Sequence, residues 1–200
     1  MIGVTHPVEV PEADRQRWAR MLSEVLGPVP LGLAVCVAVG AASGRWAGAG
    51  WGLLAAGFAA VLPYVVTWRL RHPREQKPVP RRVRVAYLLV TLGCAVAGVV
   101  LVGLLGGPHR VVAVVVTMVA GLAVAAVINT RYRVSNHACA AAGGSVILAV
   151  LYGPIFLLGV LIAAAVGWSR VVLGRHTVAE VAAGALVGAA VCAVVLPLMT

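Results

Sequence analysis

Glu180 is the last acidic residue of a 200-residue chain, and the acidic residue before it is as far back as Glu75. It stands four residues after His176, in the run Ser169-Arg-Val-Val-Leu-Gly-Arg-His-Thr-Val-Ala-Glu180. On a helix that spacing puts imidazole and carboxylate on one face. A carboxylate that accepts a hydrogen bond from one ring nitrogen fixes the tautomer, and leaves the other nitrogen as an unprotonated base or nucleophile. Thr177-Val-Ala-Glu180 is also a capping box, in which Glu180 reaches back to a backbone N–H at a helix start, and a capping glutamate can still serve the histidine.

Two further polar clusters have types that fit the same chemistry. In Arg131-Tyr-Arg-Val-Ser135-Asn-His137, Ser135 and His137 stand where an apolar run begins, so a serine hydroxyl and helix-start N–H groups are available to an anion. The basic segment 69–84 contains Arg69, Arg71 and Lys77, and is kept from continuous helix by Pro73, Pro78 and Pro80. Arginines, a lysine, helix N-termini and two histidines suit a phosphoryl group. Guanidinium forks neutralise its oxygens, one imidazole attacks phosphorus, and the other protonates the leaving alkoxide and then activates water. Rival membrane enzymes that hold magnesium need clustered aspartates, whereas Asp14 is the one aspartate here, so neither a metal nor any other cofactor is expected.

The elements that must position these clusters are membrane helices. With 62% hydrophobic and 11% charged residues and a mean hydropathy of +1.00, the chain cannot be a soluble globule. An all-α, polytopic transmembrane bundle is expected. Its apolar stretches are 29–44, 47–68, 85–106, 111–129, 138–152, 154–168 and 178–198, and the short ones leave the count at six or seven spans. Glycines at helical spacing, such as Gly184 with Gly188, let backbones approach closely. Residues 1–28 read as an interfacial segment: Pro11 suits a first helical position, Trp18, Met21, Leu22, Val25 and Leu26 share a face, and Gly27-Pro28 ends the helix. Residues 29–200 then form a single membrane-embedded domain. Trp46, Trp51, Trp68 and Trp168 fall at stretch ends, as interfacial anchors do.

Alternating the stretches across the bilayer puts all three polar clusters on the side of the N-terminus. Arg15, Arg17, Arg20, the bases of 69–84, Arg131, Arg133, Arg170 and Arg175 lie there, against Arg45 and Arg110 opposite. The positive-inside rule makes that side cytoplasmic, in a multi-pass cell-membrane protein whose net charge of +10 meets lipid headgroups and not nucleic acid.

Ser169-Arg170, five residues, His176, three residues and Glu180 resemble the third signature of the type 2 phosphatidic acid phosphatase (lipid phosphate phosphatase) superfamily. Ser135-Asn136-His137 is similar to its Ser-Gly-His second signature, in the same order along the chain. The first signature, a lysine, six residues and Arg-Pro, is met loosely by Lys77-Pro78, with Leu70 at the lysine position between Arg69 and Arg71. The resemblance implies that His176 is a nucleophile forming a phosphohistidine, Glu180 its orienting partner and His137 the general acid. It also implies that Ser135, Arg170 and a base of the first cluster, Lys77 or Arg71, hold phosphate oxygens. Glu180 stands for the usual aspartate and Asn136 for the glycine, and seven stretches with a cytoplasmic site depart from the family's usual six spans and often extracytoplasmic site. The implied activity is metal-independent hydrolysis of a lipid phosphate: a polyprenyl mono- or diphosphate, a glycophospholipid phosphate or phosphatidate. The competing expectation is a noncatalytic scaffold, or a small anion or lipid transporter with a basic vestibule.

Overall fold

Proline and glycine set the boundaries of the helices seen in the computed structural model, which describes residues 11–68 and 81–200. The elements are α1 (Glu12–Val25), α2 (Pro28–Ala56), a π-helical turn (Gly57–Val61), α3 (Leu62–Trp68), α4 (Arg81–Leu104), α5 (His109–Asn129), α6 (Asn136–Tyr152), a 3₁₀ turn (Pro154–Gly159), α7 (Val160–Val172) and α8 (Val178–Met199). No strand occurs among the described residues. Pro28 and Pro154 stand in first turns, where a missing N–H costs nothing. The protein is thus an all-α bundle of apolar helices, as expected of a membrane protein whose backbone must satisfy its own hydrogen bonds.

Five described segments are long and apolar enough to cross a membrane: Pro28–Thr67, Val85–Leu104, His109–Asn129, Pro154–Val172 and Val178–Met199. Asn136–Tyr152 is apolar but shorter. The first segment is two arms and not one rod. Helical geometry fails at Gly44 (φ −173°, ψ 32°) and Arg45 (φ 53°, ψ −126°), and the chain reverses there. A Cβ on Gly48 would collide with the Gly40 carbonyl oxygen, and one on Gly52 with that of Cys36, so the arms run antiparallel in backbone contact. The sequence stretches 29–44 and 47–68 are these two arms.

The main core draws Val35, Cys36, Val39, Ala55 and Ala56 of α2 together with Val102, Val111, Val114, Ile147, Cys192 and Leu196. Trp51, expected to be an interfacial anchor, packs partly buried against this core, whereas Trp46 at the hairpin reversal is 87% exposed. Helix α1 also departs in detail from its expected form. Pro11 precedes it as the N-cap, and its apolar residues divide: Trp18, Met21 and Val25 are exposed, while Leu26 packs against Ala141, Ala163 and Val166. The cause is that α1 docks on α7 through its small residues, Ala19 and Ser23, which are both buried.

The most extensively packed pair is α6 with α8. Gly184 faces Ser135, Gly188 faces Cys139, and Gly143 faces Cys192, a constant offset along both chains, so the two helices run parallel. A Cβ at Gly184 or Gly188 would run into the carbonyl oxygen of Ser135 or Cys139 respectively. Small residues one turn apart on α8 are what let the two backbones touch. In consequence the N-terminus of α6, which carries His137, and that of α8, which His176 immediately precedes, open at the same end of the bundle.

Candidate active site

The third polar cluster is built by the turn from α7 to α8. Gly174 takes a positive φ of 62° just past the end of α7, the usual way for a helix to stop. The carbonyl of Arg170 then accepts from the N–H groups of Arg175 (3.0 Å) and His176 (3.3 Å). These bonds fold the five intervening residues back over the end of α7 and bring His176 above Arg170, which is a physical reason for that spacing.

Thr177 caps α8, its hydroxyl accepting from the Glu180 N–H at 3.2 Å, and Glu180 Oε2 accepts from the Thr177 N–H at 3.2 Å. The same Oε2 lies 2.8 Å from His176 Nδ1. The capping box and the His–Glu pair are therefore one arrangement and not alternatives. A carboxylate can only accept, so Nδ1 carries the proton and Nε2 presents its lone pair. Both side chains are sheltered, 14% exposed for His176 and 13% for Glu180. Burial is the largest influence on His176 and lowers its pKa below the ordinary 6.5; the Glu180 hydrogen bond and charge oppose this, and Arg170 and Arg133 add to it. The imidazole is neutral at neutral pH, as a nucleophile requires.

The second cluster joins this turn through α6. Ser135 caps α6, its hydroxyl accepting from the Ala138 N–H at 3.4 Å, and it is fully buried. Its own N–H donates to the Glu180 carbonyl at 3.0 Å, a bond between two helix starts that is possible because Gly184 has no side chain there. The Ser135 N–H is thus used in stitching α6 to α8. His137 is half-buried in the first turn of α6. Asn129 fixes the approach: it is buried, donates to the Ala125 carbonyl at 2.8 Å and accepts from the Val134 N–H at 3.4 Å.

Two residues that sequence reasoning did not assign to the site belong here. Arg133 places Nε 3.8 Å from Glu180 Oε1, and its Nη2 donates to the Arg175 carbonyl at 3.1 Å. Its signal was available, two residues before Ser135, but it read as one more base in a charge asymmetry. Ser23 of α1 accepts from Arg170 Nη1 at 2.7 Å across 147 positions, which no local pattern announces. Among the described residues, buried Nε of Arg133, Nε of Arg170 and Oδ1 of Asn136 have no hydrogen-bond partner, although such atoms are nearly always satisfied. The Arg133 Nε already faces the Glu180 carboxylate, whereas the Arg170 Nε so placed fits an anion. Lys77 and Arg71, the candidates from the first cluster, lie outside the described residues.

Residues 129–200, from Asn129 to the end of α8, match the family model of the PAP2 superfamily. Over this segment the chain is similar to the PAP2 superfamily. The kinship with type 2 phosphatidic acid phosphatases read from the second and third clusters is thereby met, over the helices that bring those clusters together. No curated protein and no solved structure matches the chain. The PAP2 match points to phosphatase chemistry on phosphate esters. Helices α1 to α4, the basic segment 69–84 and most of α5 lie outside the matched PAP2 residues.

Proposed function

We propose that this protein is a metal-independent phosphatase of membrane lipid phosphates, acting through a phosphohistidine. The observation that supports this most is the sheltered His176–Glu180 pair at 2.8 Å, set beside Arg170 and Arg133 at the shared end of α6 and α8. Arg170, the Ser135 hydroxyl and a base of the first cluster, Lys77 or Arg71, hold the nonbridging oxygens. His176 Nε2 attacks phosphorus as the ester P–O bond breaks, and the imidazolium of His137 gives its proton to the departing alkoxide. His137, now neutral, takes a proton from water; the hydroxide cleaves the P–N bond, releasing phosphate and restoring both imidazoles. Glu180 stabilises the positive charge that His176 gains at the first step. A lipid tail in the bilayer brings its phosphate to the headgroup plane, where a site at the end of a bundle of apolar helices meets it.

The test is phosphate release from a panel of polyprenyl phosphates and diphosphates, glycophospholipid phosphates and phosphatidate, in detergent with EDTA. Turnover of at least one substrate is expected, unchanged by EDTA, together with an acid-labile, alkali-stable phosphoenzyme. No turnover of any of them would leave the scaffold or transporter reading.

The pH profile carries a sign. With the His176 pKa below 6.5, the acid limb of kcat/KM is expected below that value. Glu180 raises the pKa and Arg133 lowers it. Glu180→Gln should therefore move the limb to lower pH and Arg133→Gln to higher pH. Because the amide oxygen can still accept from Thr177, Glu180→Gln should leave thermal unfolding nearly unchanged while reducing kcat by about 10²-fold, the loss of one charge-stabilising group. Equal limbs in all three proteins would show that His176 is not the titrating group.

The excess of basic residues on the loops at this end supports a site on the cytoplasmic face of the cell membrane. Arg131 is exposed beside the site. Arg131→Cys, in a background without the four native cysteines, should resist an impermeant maleimide added to intact cells and react after lysis. Strong labelling of intact cells would reverse the orientation.

A further inference from the structure

Among the described residues, the hydroxyl of Ser23 on α1 reaches Arg170 from outside the PAP2 segment. Ser23 is 8% exposed, Ala19 one turn before it is fully buried, and Leu26 one turn after it packs into the Ala141, Ala163 and Val166 cluster. The C-terminal half of α1 is therefore seated on α7 by small side chains. The hydroxyl takes Arg170 Nη1 at 2.7 Å. A guanidinium offers Nε and Nη2 along its opposite edge, the side-on fork that matches two oxygens of a phosphate. On Arg170 the Nε of that edge is buried with no hydrogen-bond partner.

We propose that Ser23 is a positioning residue: by holding Nη1 it turns the Nε–Nη2 edge of Arg170 toward the phosphate, so α1 supplies part of the phosphate site without touching substrate. This rests on the reading above that Arg170 holds phosphate. Arginine loses several rotatable torsions when it is fixed, and a fork already held in place binds more tightly than one that must be ordered on binding. The exposed Trp18, Met21 and Val25 lie on a different face of α1 from Ala19 and Ser23, so the docked face is set by small residues and the apolar face is left to the surroundings.

The test is affinity for inorganic phosphate, measured by calorimetry on the purified full chain. Ser23→Ala is expected to weaken binding about tenfold, the effect of losing one hydrogen bond to a charged group. Ser23→Thr, which keeps the hydroxyl, should bind within about twofold of the parent, since only a methyl group is added. In an Arg170→Lys background, which keeps the charge but has no Nη1, Ser23→Ala should cause almost no further loss. A residue that merely docks α1 would cost the same in both backgrounds, and that result, or unchanged affinity in Ser23→Ala, or no phosphate binding by the parent, overturns the proposal. Phosphate release from the lipid panel separates the two readings. Turnover indifferent to Ser23 sinks this inference alone, and Ser23-dependent phosphate binding without turnover of any lipid sinks the proposed function alone.

Discussion

Replacing His176 by alanine is expected to lower kcat by at least about 10³-fold on any lipid phosphate that the protein turns over, the scale seen when a covalent nucleophile is removed. The side chain belongs to neither hydrophobic core cluster and is paired with Glu180, so its loss leaves the core packing in place. The capping box does not need it: Thr177 and Glu180 exchange their two hydrogen bonds through atoms that alanine leaves in place. Thermal unfolding should accordingly stay close to that of the parent while the phosphoenzyme disappears. His137→Ala should behave differently if it is the proton donor. Its effect would shrink on a substrate with a good leaving group, such as an aryl phosphate, because less protonation is required there, whereas the His176 effect would persist. Undiminished turnover in His176→Ala would exclude a phosphohistidine at this position.

The second large effect is expected far from any reacting atom. Gly184→Val puts a branched side chain where even a Cβ collides with the Ser135 carbonyl oxygen and stands 3.0 Å from its nitrogen. Backbone cannot yield as a flexible side chain does, so α6 and α8 must separate at their N-termini. Overpacking of this kind costs about 1–3 kcal/mol. The functional loss should exceed that, because the bond from the Ser135 N–H to the Glu180 carbonyl breaks and the two histidine-bearing helix starts move apart. Misplacing reacting groups by about 1 Å costs about 10²-fold in rate. Gly93→Ala is the matched control, on an exposed face of α4 where an added Cβ meets nothing within 4 Å. It should be neutral or stabilising by up to about 1 kcal/mol, through helix propensity alone. Melting temperature and kcat of the two variants in one detergent decide the matter. A Gly184→Val protein as stable and active as the parent would refute close α6–α8 contact.

Much of the bundle was legible because lipid imposes severe rules. Every apolar stretch of the sequence has its helix, and boundaries fall at Gly27-Pro28, Pro108, Gly153-Pro154 and Gly174, where proline or positive φ prevents continuation. The reversal at Gly44–Arg45 was visible as a break between two apolar stretches. The details of α1 were less legible. Periodicity identified its apolar residues but not which face would dock, and the face that docks is the one with Ala19 and Ser23.

By itself the sequence determined the pairing of His176 with Glu180, although His176 stands just before the N-cap and not on the helix: the capping-box glutamate that reaches back to Thr177 meets the imidazole with the same oxygen, and this depends on few residues beyond its own turn. It likewise determined that Arg170 lies within reach of His176, through a short loop closed by a glycine. Only the tertiary structure decided that α6 and α8 run parallel in contact, that Ser135 and Arg133 meet Glu180, and that Ser23 holds Arg170. The physical reason is that α6 and α8 are almost uniformly apolar, with Ala, Gly and Val on every side and next to no amphipathic contrast. Which face of such a helix touches which neighbour is settled by where backbones can approach most closely, a property of the assembled bundle and not of any one segment.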